Sequence, residues 1–110
     1  MNGDRRAAVA AYKERKAPAG VYAVRCEPTG ERWVGGAPDL DTIGNRLWFQ
    51  LRMKGCPYRG LQAAWDAHGE AAFRLDVLER LEEESLAYTR TAELRSRARH
   101  WAETLGAPLI

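Results

Sequence analysis

No stretch of this 110-residue chain is long and apolar enough to cross a membrane, because its uninterrupted apolar runs last only a few residues. The first residues include Asp4, Arg5 and Arg6, and no apolar signal-like run follows them, so the expected location is the cytoplasm. Cysteine is scarce. Cys26 and Cys56 are far apart and form no C-x-x-C pair, which excludes a disulfide framework and a thiol redox motif. The two histidines, His68 and His100, stand at no ligand spacing to either cysteine, so a structural zinc site is not expected and the cysteines read as small packing residues.

Nor is there a large charge excess. The formal net charge is +2, too small by itself to mark a nucleic-acid binder. Its distribution says more. Between Thr42 and Gly60 stand Arg46, Arg52, Lys54 and Arg59 with no acidic residue, whereas Asp76, Glu79, Glu82, Glu83 and Glu84 follow closely. This polarity fits a phosphate-facing side, and it equally fits two solvated faces of opposite sign. With 45% hydrophobic and 29% charged residues, the chain has the balance of one globular domain rather than of a disordered segment. No internal repeat, linker or low-complexity tract interrupts it.

Hydrophobic patterning lays out the elements. Asp4 to Lys16 reads as a short alanine-rich helix capped by Asp4 and ended by Pro18. Val21 to Cys26 alternates as a strand, Glu27-Pro28-Thr29-Gly30 turns, and Arg32-Trp33-Val34 returns to make a hairpin that Gly35-Gly36-Ala37-Pro38 breaks. Asp39 or Asp41 caps a helix whose stripe is Leu40, Ile43, Leu47 and Leu51. Gly55 and Pro57 stop it. Leu61 to His68 is a second helix closed by Gly69. Phe73 to Leu78 is a third strand with Phe73, Leu75 and Val77 inward. A last helix starts near Ser85 or Thr89 and buries Leu94, Ala98, Trp101 and Leu105. The implied fold class is α/β (α+β): a small three-stranded antiparallel sheet flanked by helices, over residues 19–110, preceded by an N-terminal helix and lead-in over 1–18.

Several short motifs occur in order along the chain. Gly20-Val21-Tyr22 and Trp33-Val34-Gly35 sit in the hairpin strands. Leu61-Gln62, then Trp65, then His68-Gly69 follow, with Phe73 and Val77-Leu78-Glu79 in the third strand and Trp101 in the last helix. In this order and spacing the chain resembles the GIY-YIG nuclease superfamily from about Ala19 to Gly106. The resemblance implies a metal-dependent endonuclease that acts on nucleic acid, either DNA or RNA, using one divalent cation such as Mg. In that chemistry a tyrosine of the first motif acts as general base or positions the water. An arginine stabilises the phosphorane charge, and a glutamate holds the metal.

Carried over residue by residue, the match is partial. Tyr22 is present. Trp33 replaces the second tyrosine and offers only a donor N–H. The arginine position falls on Ile43. Arg46 lies one turn further and reads either as a substitute that reaches the same phosphate or as a surface arginine. Counting back from Trp101, the glutamate position falls on Ala98, and Glu93 is the fallback metal ligand. The resemblance therefore implies a catalytic set of Tyr22, Trp33 and Arg46, and a nucleic-acid-binding set of Arg46, Arg52, Lys54 and Arg59. His68 beside its cap glycine and His100 beside Trp101 read as structural. Of Trp48 and Phe49, one packs and the other is exposed, where it could stack on a base. The expected function is a GIY-YIG-like domain that acts on or binds nucleic acid with impaired catalysis. The alternative is a protein-interaction module that keeps only the fold.

Overall fold

The computed structural model of the protein describes residues 18–81 and 87–110. The helix read over residues 4–16 lies outside the described residues. Strands β1 (Gly20–Cys26), β2 (Arg32–Ala37) and β3 (Phe73–Arg80) form one antiparallel sheet in the order β2-β1-β3. Helices α1 (Leu40–Arg52), α2 (Arg59–His68) and α3 (Ala87–Leu105) pack on it, and a short 3-10 turn, Glu70–Ala72, leads into β3.

The central strand explains the layering. Along β1 the side chains alternate: Tyr22, Val24 and Cys26 join Leu47, Leu51, Leu61 and Trp65 from α1 and α2, while Val21 and Ala23 join Ala98 and Ala102 from α3. Both faces of the sheet are thus covered, and all five of these β1 residues are buried. This is why the strand is apolar on both faces and polar only at Arg25. At its end Arg25 donates from Nε to Asp76 Oδ2 of β3 at 2.9 Å.

The second strand runs three residues further than the sequence pattern suggests. Gly35, Gly36 and Ala37 continue the ladder opposite Tyr22, Val21 and Gly20 instead of breaking it. The glycines are there for close approach. A Cβ at Gly35 would lie 2.7 Å from the Tyr22 hydroxyl oxygen, and one at Gly36 would lie 3.2 Å from the Leu94 carbonyl oxygen of α3. The outer edge of β2 is covered in turn. Val34 N–H donates to the Pro108 carbonyl at 2.9 Å and Ile110 N–H to the Val34 carbonyl at 2.7 Å, a parallel bridge made by the segment after α3.

The third strand departs from the expected inward set. Phe73 is buried and Leu75 partly so, but Val77 is 43% exposed. Val77 keeps the face of Phe73 and Leu75, opposite Tyr22, but it lies on an edge strand, and only beyond it does the register shift, Val21 pairing with Glu79 and leaving Leu78 as an extra residue. Leu78 then packs with the α3 cluster. Likewise Ile43 and Trp101, read as buried, are only partly so. Leu47, Leu94 and Ala98 are buried as read.

Candidate functional site

Tyr22 sits mid-strand with its ring lying across Gly35, and it forms the floor of a cleft of about 340 Å³. The walls come from α1 (Ile43, Arg46, Gln50), from Tyr58 ahead of α2, and from Ile110. Each wall has a local cause. Asp39 caps α1 by accepting from Asp41 N–H at 2.9 Å, which fixes where the helix starts and so which residues face the cleft. The link that carries Tyr58 is tied down by Gln62. Its Nε2 donates to the Leu51 carbonyl at 3.2 Å, and its Oε1 accepts from Cys56 N–H at 3.3 Å. The leucine-glutamine motif therefore holds the cleft wall rather than meeting a ligand.

The phenol of Tyr22 is 4% exposed and has no hydrogen-bond partner among the described residues. Burial raises its pKa to about 12. Tyr58 and Cys56 push the same way, and Arg46 opposes them. At neutral pH Tyr22 is thus a neutral hydroxyl that can donate to a phosphate oxygen. Arg46 is exposed and makes no salt bridge with a described residue. The two share one cleft, as the resemblance implies for a tyrosine–arginine pair.

The other sequence-designated residues are placed apart. Trp33 is 4% exposed, packs on Phe73 at a centroid distance of 6.3 Å in the aromatic core, and does not line the cleft. Arg52 donates from Nε and Nη2 to both carboxylate oxygens of Glu70, at 2.6 and 2.8 Å. That fork neutralises Arg52 and holds the Glu70 carboxyl below its usual range. Lys54 and Arg59 are exposed. Lys54 closes α1 in the left-handed conformation, φ 57°. Glu93 is half-buried on α3, outside the cleft lining. Of the adjacent aromatics, Trp48 packs on Trp65 at 5.5 Å, and Phe49 is 62% exposed.

A second groove, of about 480 Å³, adjoins the first. It is lined by Leu94, Arg95, Ala98 and Arg99 of α3 with Leu109, and shares Gly36, Pro38 and Ile110 with the Tyr22 cleft. Ala98, at the position the resemblance gives to the metal-holding glutamate, is 2% exposed and contributes a methyl group. Among the described residues no Asp or Glu side chain lines either cleft, and no three His, Cys, Asp or Glu side chains are grouped to hold a metal ion. The donor set therefore does not fit a divalent cation here.

Sequence reasoning missed Arg95, Arg99 and Ile110. The arginines are spaced i, i+4 around Ala98, a signal that was available. Ile110 gave none, because a three-residue pairing with β2 has no periodicity. It also missed the contact between Glu79 and Trp101. Trp101 Nε1 donates to Glu79 Oε1 at 2.8 Å, and Arg97 Nε donates to the same carboxylate at 2.9 and 3.1 Å. The Trp101 hydrogen bond, aided by Arg97, holds the Glu79 carboxyl below its usual range. This lock pins α3 to β3.

Two solved structures share the fold. Both are of the catalytic domain of I-TevI, an intron-encoded homing endonuclease of the GIY-YIG type. A point mutant of that domain matches at a TM-score of 0.70 and 22% identity, over 81% of this chain and 84% of its own. The other structure matches at a TM-score of 0.71 and 21% identity, over 84% of this chain and 97% of its own. No family model and no curated protein matches the sequence. The likeness establishes that this chain has the fold of a GIY-YIG nuclease catalytic domain.

Proposed function

We propose that this domain binds nucleic acid through its phosphate backbone and does not cut it by the metal-dependent route of the nucleases whose fold it shares. One observation carries the reading. The clefts where those nucleases would place their chemistry are lined here by Arg46, Arg95 and Arg99 with a neutral Tyr22, and by no Asp or Glu among the described residues. Guanidinium groups supply charge-assisted hydrogen bonds to phosphate oxygens. Without an Asp or Glu, no described side chain in the lining offsets the charge of a divalent cation among three guanidiniums. What the domain keeps is recognition of an anion.

The test is binding of labelled DNA and RNA, single-stranded and duplex, across a salt series, with Mg²⁺ or Mn²⁺ added in parallel to look for cleavage. Affinity should fall linearly on a log–log plot, with a slope of roughly −0.7 to −0.9 per phosphate engaged. Arg46→Ala should reduce the slope by about one such step for unrelated sequences alike. Absence of salt-sensitive binding to every probe at low ionic strength would overturn the reading in favour of a protein-interaction module. Metal-dependent cleavage would overturn its second half.

A further inference from the structure

We infer that the groove between α3 and the segment after it is a nucleotide subsite that takes one unstacked base and its phosphate, which makes the preferred ligand a single strand. The inference rests on the phosphate-binding reading above and adds to it the state of the strand.

The argument starts from the two chemistries of the groove. Its floor is apolar: the Ala98 methyl, Leu94, Leu109 and Ile110. Its rim is cationic: Arg95 and Arg99, both exposed, one helical turn apart, and without a salt bridge to any described residue. A bare phosphate would engage the rim and leave the floor in water. A nucleotide has an apolar, flat base joined to a phosphate and can cover both at once. The volume, about 480 Å³, is of the size that encloses a small ligand. Guanidinium planes beside the floor offer further stacking surface for the base.

The strand state follows from geometry. Bases of a duplex are stacked and paired, so they cannot enter a groove lined this way without being unstacked first, at a cost of a few kcal/mol. A single strand has its bases available. The groove also meets the Tyr22–Arg46 cleft at Gly36, Pro38 and Ile110. One strand can therefore place successive phosphates at Arg46 and at Arg95 with Arg99. Ala98 is central to this. A carboxylate there would repel the phosphate and hydrate the floor, whereas a methyl completes it.

The experiment measures anisotropy of labelled oligonucleotides of equal length, single-stranded and duplex, DNA and RNA, across salt. The proteins are the full chain, Arg46→Ala, the double variant Arg95→Ala with Arg99→Ala, and Leu109→Asp. Leu109 is 44% exposed, so its change alters the floor at a surface position, and circular dichroism checks that each variant is folded. The full chain should bind single strands about five- to tenfold more tightly than duplex, the lower part of the range for base stacking because the floor is aliphatic. The arginine double variant should lose about 1.4 from the single-strand salt slope, two steps of 0.7. Leu109→Asp should remove the single-strand preference. Either sugar giving this pattern supports the subsite. If the full chain binds salt-sensitively but the arginine double variant binds equally well, the subsite is wrong while phosphate binding by the Tyr22–Arg46 cleft stands. Duplex bound as tightly as single strand overturns the base-binding step. No binding by the full chain overturns the underlying reading instead.

Discussion

Stability should fall between pH 10 and 12 because Tyr22 is buried as a neutral phenol. In the unfolded chain a tyrosine ionises near pH 10, and in the folded domain Tyr22 does so at about 12. The folded pKa is the higher one, so the unfolded state loses its proton first and gains free energy from doing so. The contribution is fully present below pH 10 and is lost as pH rises through 12. Linkage with those two values gives a small loss at pH 10, about 1 kcal/mol at pH 11, and approaching about 3 kcal/mol above pH 12. With the phenol 4% exposed, solvent screening does little to reduce it. Other groups also titrate there, so the measurement is a difference: urea unfolding of the parent and of Tyr22→Phe from pH 8 to 11. Near neutral pH the two should agree within about 1 kcal/mol, because the hydroxyl has no hydrogen bond to a described residue. By pH 11 the parent should have lost about 1 kcal/mol more than the variant. Parallel curves through pH 11 would show that Tyr22 ionises normally. The claim that Tyr22 is held in a desolvated site would go with it.

Two further outcomes bear on how the site is held and charged. Gly20→Ala should destabilise the fold by roughly 1–3 kcal/mol or more, read as a lower urea midpoint, since its Cβ would lie 2.1 Å from the Glu79 carbonyl oxygen, a backbone atom that cannot swing away. An unchanged midpoint would mean that the β1–β3 register differs from the one described. Arg52→Ala should leave the salt slope of nucleic-acid binding unchanged where Arg46→Ala reduces it, because both oxygens of Glu70 already occupy the Arg52 guanidinium. A drop equal to that of Arg46→Ala would show that the phosphate displaces Glu70.

How much of this was legible depended on whether the signal was local. The alternation Val21 to Cys26 and the stripe Leu40, Ile43, Leu47, Leu51 are periodic, and they produced β1 and α1 with almost the right bounds. Gly35-Gly36 misled for a physical reason. Local propensity reads two glycines and a proline as a break, but here a tyrosine ring from the next strand and a helix backbone press on those positions, and tertiary contact overrides propensity. Val77 misled likewise: it keeps the face of Phe73 and Leu75, but β3 is an edge strand, and alternation gives a residue's face without saying whether anything covers it. Tyr22 and Arg46, designated through the resemblance, line one cleft. The burial of Trp33 and the pairing of Arg52 with Glu70 depend on partners 40 and 18 residues away, Phe73 and Glu70, whose proximity no local pattern announces.

Ala98 decides what kind of site remains. A missing carboxylate can mean only that a helix has shifted, with the ligand supplied from elsewhere on it. The structure argues against that. Trp101, one turn beyond Ala98, is pinned to Glu79 by its indole N–H, and Arg97, the residue before Ala98, is held by the same carboxylate. With α3 held from β3, the methyl of Ala98 has a fixed place among Val21, Ala23 and Val34. The same anchoring sets Arg95 and Arg99 on the groove beside it. A cation at Ala98 would meet two guanidiniums and no counter-charge, whereas a phosphate would meet two partners. Absence of the glutamate and presence of the arginines on one rigid helix therefore point the same way. The anion reading proposed for this groove rests on the anchoring of α3 and not on one substitution alone.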